Sequence, residues 1–173
     1  MVWIRRDRAG QLALVVAGLA ALVPWSVTYT ASEGATVLFV RFPLFEFQYT
    51  QGFGSGVDGP ALRSVLGAIS LQSGQGLEAA TQVWGGGAAV LLVALVVAGV
   101  AYGRESTAAD MPTQIRRVGW LLAAAGLLFA VATGLVWTGG FGGVPIPVGV
   151  VLLAGLAWVL LTADLVDETP EKS

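Results

Sequence analysis

The chain has 173 residues, of which 55% are hydrophobic and only 12% charged, about half the charged share of an ordinary soluble domain. It contains neither Cys nor His, which excludes disulfides, metal sites built on those residues, thiol nucleophiles and Ser-His-Asp triads. A net charge of −2, from 9 Lys and Arg against 11 Asp and Glu, leaves no basic surface for nucleic acid.

A mean hydropathy of +0.77 places most of the chain in a membrane. A spanning helix needs about 20 apolar residues, because the hydrocarbon core is ~30 Å thick and a helix rises ~1.5 Å per residue. Charge-free windows of sufficient length lie at 9–32, 79–103 and 118–163. The first follows Arg5, Arg6 and Arg8 and is read as a helix over 11–31, kinked at Pro24. Ser26, Thr28 and Thr30 are available to carbonyls freed by the kink. A cleaved signal peptide is the rival reading. The length of the apolar run and the lack of an Ala-x-Ala site weigh against it.

Residues 32–81 form the one long loop outside the expected membrane segments. From Phe45 to Thr50, aromatic and polar residues alternate, the period-two signature of a strand. Pro43 interrupts the preceding run, so 36–50 reads either as two short strands or as a segment lying in the membrane interface. The Gly-rich run from Gly52 to Gly59 reads as a flexible linker, because no Lys-Ser/Thr follows it to make a phosphate loop. Asp58 or Gly59 is then expected to cap a short helix starting at Pro60. Its apolar face would hold Leu62, Val65, Leu66 and Ile69.

The second window predicts a span over 82–102, followed by a loop over 103–117. The third predicts spans over 118–137 and 145–163, joined by a Gly/Pro turn at 138–145. Pro145 and Pro147 would sit in the first turn of the last helix. An acidic tail, 164–173, carries Asp164, Asp167, Glu168 and Glu171. The sequence thus predicts an all-α membrane protein: a four-transmembrane-helix bundle forming a single integral membrane domain, with one long external loop. Arg5, Arg6, Arg8, Arg104, Arg116, Arg117 and Lys172 fall on one side, against Arg41 and Arg63 on the other. The positive-inside rule therefore puts both termini in the cytoplasm of a multi-pass cell-membrane protein.

No predicted span has an ionisable residue in its interior, which argues against a proton-coupled pump. No catalytic residue, cofactor site or metal site emerges, and the chain is expected not to be an enzyme. Arg41, Glu46 and Tyr49 are the candidate external interaction residues, because charges set among aromatics are partly desolvated. A local ion pair is the blander reading of the first two. Ala13, Ala17 and Ala21, and likewise Gly126, Ala130 and Gly134, recur every fourth residue as small-residue packing stripes. Expected partners are membrane lipids and either another membrane protein or a second copy. The function that follows is a non-enzymatic subunit or scaffold acting through its external loop and helix faces. The alternative is a small transporter or channel for a neutral or weakly charged solute.

Several segments resemble a family of small multi-span membrane proteins of halophilic archaea with no known function. They are the Arg-rich start, Leu22-Val23-Pro24-Trp25-Ser26-Val27, Gly34-Ala35-Thr36-Val37-Leu38-Phe39, Tyr49-Thr50-Gln51-Gly52 and Ile146-Pro147-Val148-Gly149. The region 61–75 departs from that pattern. The resemblance implies a topology and a salt-adapted host, and transfers no catalytic residue. The four-span plan is also similar to claudins in topology, but their Trp-Gly-Leu-Trp and paired-Cys motifs are absent.

Overall fold

A computed structural model describes residues 2–5, 8–103, 110–140 and 142–166. In chain order the elements are β1 (Val2–Arg5), α1 (Ala9–Leu22), β2 (Ser26–Ser32), β3 (Ala35–Arg41), β4 (Phe45–Gln51) and β5 (Gly59–Ser64). Then follow α2 (Val65–Gln72), α3 (Glu78–Gly103), α4 (Met111–Thr138), β6 (Val144–Ile146), α5 (Val148–Leu161) and β7 (Ala163–Val166). The all-α four-helix membrane bundle is therefore wrong. Among the described residues, five helices accompany an antiparallel sheet of order β5-β4-β3-β2-β6, and β1 and β7 form a separate parallel pair. Arg6, Asp7, the 104–109 segment, Phe141 and the tail from Asp167 onward, including Glu168, Glu171 and Lys172, lie outside the described residues.

Among the described residues, two helices are long and apolar enough to cross a membrane: α3, with hydropathy 2.3, and α4, with 2.0. The expected first and last spans are cut short by strands. α1 and α5 have 14 residues each, about 21 Å, short of the ~30 Å hydrocarbon core. α1 ends at Leu22 because Pro24 forces its predecessor out of helical space, and Val23 is extended at φ −83, ψ 128. The following Ser-Val-Thr-Tyr-Thr run then alternates as β2 rather than continuing a kinked helix. At the other end, Pro145 is not in the first turn of a helix. It sits in the edge strand β6, opposite Thr28, where a missing N–H is tolerated.

The 36–50 segment is two strands of one meander. Glu33 and Gly34, both at positive φ (51 and 85), make the two-residue turn between β2 and β3 that matches strand twist. Pro43 lies in the next turn, closed by Phe42 N–H donating to Phe45 O at 2.8 Å. The expected helix from Pro60 is displaced. Residues Gly59–Ser64 pair with β4, and Ser64 caps α2 by accepting from Gly67 N–H at 3.1 Å. Asp58 instead holds its own loop, accepting from Phe53 N–H at 2.8 Å. The Gly-rich run is thus a structured flap rather than a linker, and Thr50 Oγ1 donates to Val57 O to bind it to β4.

The helices pack around Leu91, Leu122, Phe129, Leu153 and Leu160, all buried. Gly87 makes room for Phe129, whose ring lies 2.6 Å from where a Cβ would be. Gly10 lies against the Ala101–Tyr102 backbone and Gly119 against Leu160 and Leu161. The start of α1, the end of α3, the start of α4 and the end of α5 therefore share one end of the molecule. The sheet occupies the other.

At that junction Gly149 has no room for a side chain. Its Cβ would meet the Pro24 carbonyl and lie 2.7 Å from Trp25 Cα. Gly149→Ala is expected to destabilise by about 1–3 kcal/mol through overpacking. Gly155→Ala, in the same helix with nothing within 4 Å, should be neutral or gain up to ~1 kcal/mol of helix propensity. Thermal unfolding of the two purified variants in one detergent checks the contrast.

Candidate functional site

Strand alternation sorts the sheet into two unlike faces. The register aligns Ser26 with Arg41, Arg41 with Glu46 and Glu46 with Arg63. Thr28, Phe39 and Gln48 form the next row across the same face. This polar face is turned onto the helices. The apolar set, including Tyr29, Leu62, Val144 and Ile146, is exposed on the other side. A sheet covering a water-soluble core has the opposite polarity.

The charges on the inner face form a compact cluster. Arg41 Nε donates to Glu46 Oε2 at 2.9 Å, and Arg41 Nη1 donates to Thr28 Oγ1 at 3.1 Å. Its guanidinium also lies 4.8 Å from the Phe39 ring centroid, within cation–π range. Arg63 Nη1 approaches Glu46 Oε1 at 3.4 Å and donates to Gln48 Oε1. Arg41 and Glu46 are only 5% and 6% exposed. Burial pushes the Arg41 pKa below its ordinary value, while Glu46 raises it back in part; a guanidinium stays charged regardless.

Two indoles join this cluster to the helices. Trp84 Nε1 donates to the carbonyls of Phe42 (3.1 Å) and Pro43 (2.9 Å), fastening α3 to the β3–β4 turn. Trp25 stacks on Phe129 with centroids 5.6 Å apart and 12° between planes, and tilts against Trp84 at 5.9 Å. Its own Nε1 is buried with no hydrogen-bond partner among the described residues. Between sheet, α2 and α3 lies a cavity of ≈ 220 Å³. Trp25, Trp84, Phe39, Leu77 and Val136 give it apolar walls, and Arg41, Glu46, Gln48 and Arg63 a polar one.

The structure brings Arg41 and Glu46 together but sets Tyr49 on the opposite face, 41% exposed. Arg63, Gln48, Trp25 and Trp84 belong to the site and were not singled out from the sequence. For Gln48 a signal existed, because it shares strand parity with Glu46. For Arg63 none did, since only the β4–β5 register reveals it. Of the small-residue stripes, Ala13 and Ala17 are fully buried, and Ala21 packs partly against the core. Gly126 meets Leu153 of α5, Ala130 is half-buried, and Gly134 faces open space.

The arrangement offers cationic donors beside aromatic walls, a setting for binding. Comparison with protein families matches residues 2–165 to a family of unknown function (DUF7549). No curated protein matches the chain.

Proposed function

We propose that this chain, which belongs to the DUF7549 family of unknown function, is a non-enzymatic membrane subunit. In this reading α3 and α4 cross the bilayer and the sheet works outside it as the interaction surface. The inside-out polarity of the molecule carries the proposal. Leu92, Val93 and Val96 of α3 and Leu127 and Val131 of α4 are exposed, while Arg41 and Glu46 are buried. Such an exterior is unfavourable in water, where large exposed apolar patches mark interaction sites, and favourable against lipid.

The Arg bias supports an orientation. Arg8, Arg116 and Arg117 lie at the end away from the sheet, which by the positive-inside rule is cytoplasmic. The paired strands β1 and β7 share that side, and in this reading Arg41 and Arg63 go outside with the sheet. An acidic chain with Lys172 as its single Lys also fits the halophilic host that the resemblance implies. Transport is less favoured. Thr133 Oγ1 donates to Phe129 O at 2.9 Å and Thr138 Oγ1 to Gly134 O at 3.0 Å, so both hydroxyls are turned onto their own helix, Thr133 in the buried core and Thr138 at the exposed end of α4.

Single-Cys labelling is clean in a chain without Cys. Ser55→Cys should react with an impermeant maleimide in intact cells, and Thr113→Cys only after permeabilisation. The reverse pattern overturns the orientation. A photo-crosslinking residue at Tyr49 in native membranes should yield a discrete adduct, with another membrane protein or with a second copy. Recovery of monomer alone overturns the subunit reading.

A further inference from the structure

We propose that the cavity between the sheet, α2 and α3 binds a small organic monoanion, an apolar body of about one ring carrying a single carboxylate. A cavity of ~150 Å³ accommodates benzene, so the ≈ 220 Å³ here has room for a ring and a carboxylate. Among the described residues, the ionisable side chains lining it are Arg41, Arg63 and Glu46. Two guanidiniums against one carboxylate leave the wall one positive charge in excess. Guanidinium pairs carboxylate in a directed, charge-assisted geometry. A monoanion neutralises that excess, whereas a dianion overshoots and a cation adds to it.

A second observation points the same way. Trp25 lines the cavity, is 1% exposed, and carries an indole N–H with no acceptor among the described residues. A buried donor without a partner calls for an explanation, and a ligand oxygen supplies one. The Trp84 N–H is already committed to the Phe42 and Pro43 carbonyls, so that ring serves as apolar wall. Access lies between β5 and the end of α2, where Leu71 is exposed and the Arg63 side chain is 32% accessible.

The inference does not rest on the membrane reading, and its test uses the full chain purified in detergent, apart from any labelling in cells. Titration calorimetry with benzoate, benzamide and benzylamine separates charge from shape. Benzoate should bind at least about tenfold more tightly than the neutral amide, the step of a charge-assisted hydrogen bond, and benzylamine should not bind. Arg63→Gln leaves the Arg41–Glu46 pair in place, and should weaken benzoate about tenfold with benzamide unchanged. The Trp25 indole proton should shift on benzoate addition in the wild-type NMR spectrum. Equal affinity for benzoate and benzamide, or no binding of benzoate by folded wild-type protein, overturns the proposal. So does displacement of benzoate by equimolar chloride, which would make the site a simple halide pocket. If Arg63→Gln fails to accumulate, the wild-type comparison decides alone.

Discussion

Glu46→Gln is expected to destabilise the protein by about 3–5 kcal/mol, the usual consequence of removing one partner from a buried ion pair. Glu46 is the carboxylate shared by Arg41 and Arg63, with its side chain 8% accessible. Without its charge, the buried Arg41 cation loses the carboxylate it pairs with, and the Thr28 hydroxyl and the Phe39 ring carry no charge to replace it. Arg63 can swing toward water; Arg41, at 5% exposure, cannot. Denaturant titration of the purified variant reads the loss. The pair is also expected to be replaceable as a unit, because well-packed apolar groups often substitute for buried ions without penalty. The double variant Arg41→Met with Glu46→Leu should recover most of what Glu46→Gln loses. A double variant as unstable as the single one would mean that the charges hold the sheet in register rather than merely satisfying each other.

Trp84→Ala should show a loss of similar size, about 3–5 kcal/mol from the emptied volume. It also removes the donor for the Phe42 and Pro43 carbonyls. Trp84→Phe separates the two effects, since it keeps most of the volume and should lose about 1–3 kcal/mol for the stranded carbonyls. The two variants should also differ in where protection fails. Hydrogen exchange in Trp84→Phe should rise chiefly at the β3–β4 turn, whereas in Trp84→Ala it should rise through Trp25 and Phe129 into the helical core. Uniform exchange in both would contradict the role given to the indole N–H.

The helical core was legible because a long charge-free window is a strong signal: such windows cover α3 after Glu78 and α4 from Val118 onward. The sheet was not, because a hydropathy window averages over the order of its residues. Ser26 to Thr30 alternates polar and apolar, yet it reads as the end of a span when only charges are counted. Val23-Pro24 is a stop rather than the kink that its place in an apolar run suggests. Glu33-Gly34, between two β-branched runs, is a hairpin turn that a count of charges does not reveal. The candidate site was half visible: Arg41 and Glu46 flank the Pro43 turn, and their closeness follows from local geometry. The rest of the cluster depends on register across β5 and on two indoles brought in by helices. Neither is encoded in any short stretch of sequence.

The pairing of β2 with β6 also imposes an order of events during synthesis. Ser26 to Ser32 leave the ribosome early, but their edge partner Val144–Ile146 comes more than a hundred residues later. At ~5–20 residues per second, one edge of the nascent sheet stands open for about ten seconds, exposing unpaired amide and carbonyl groups that another chain could capture. β1 waits still longer for β7. The meander from β2 to β5 and the α3–α4 hairpin can form meanwhile, because their contacts are local. Residues 144–166 then close both ends of the molecule, so a premature stop after α4 would leave a long-lived, association-prone intermediate rather than a smaller folded protein.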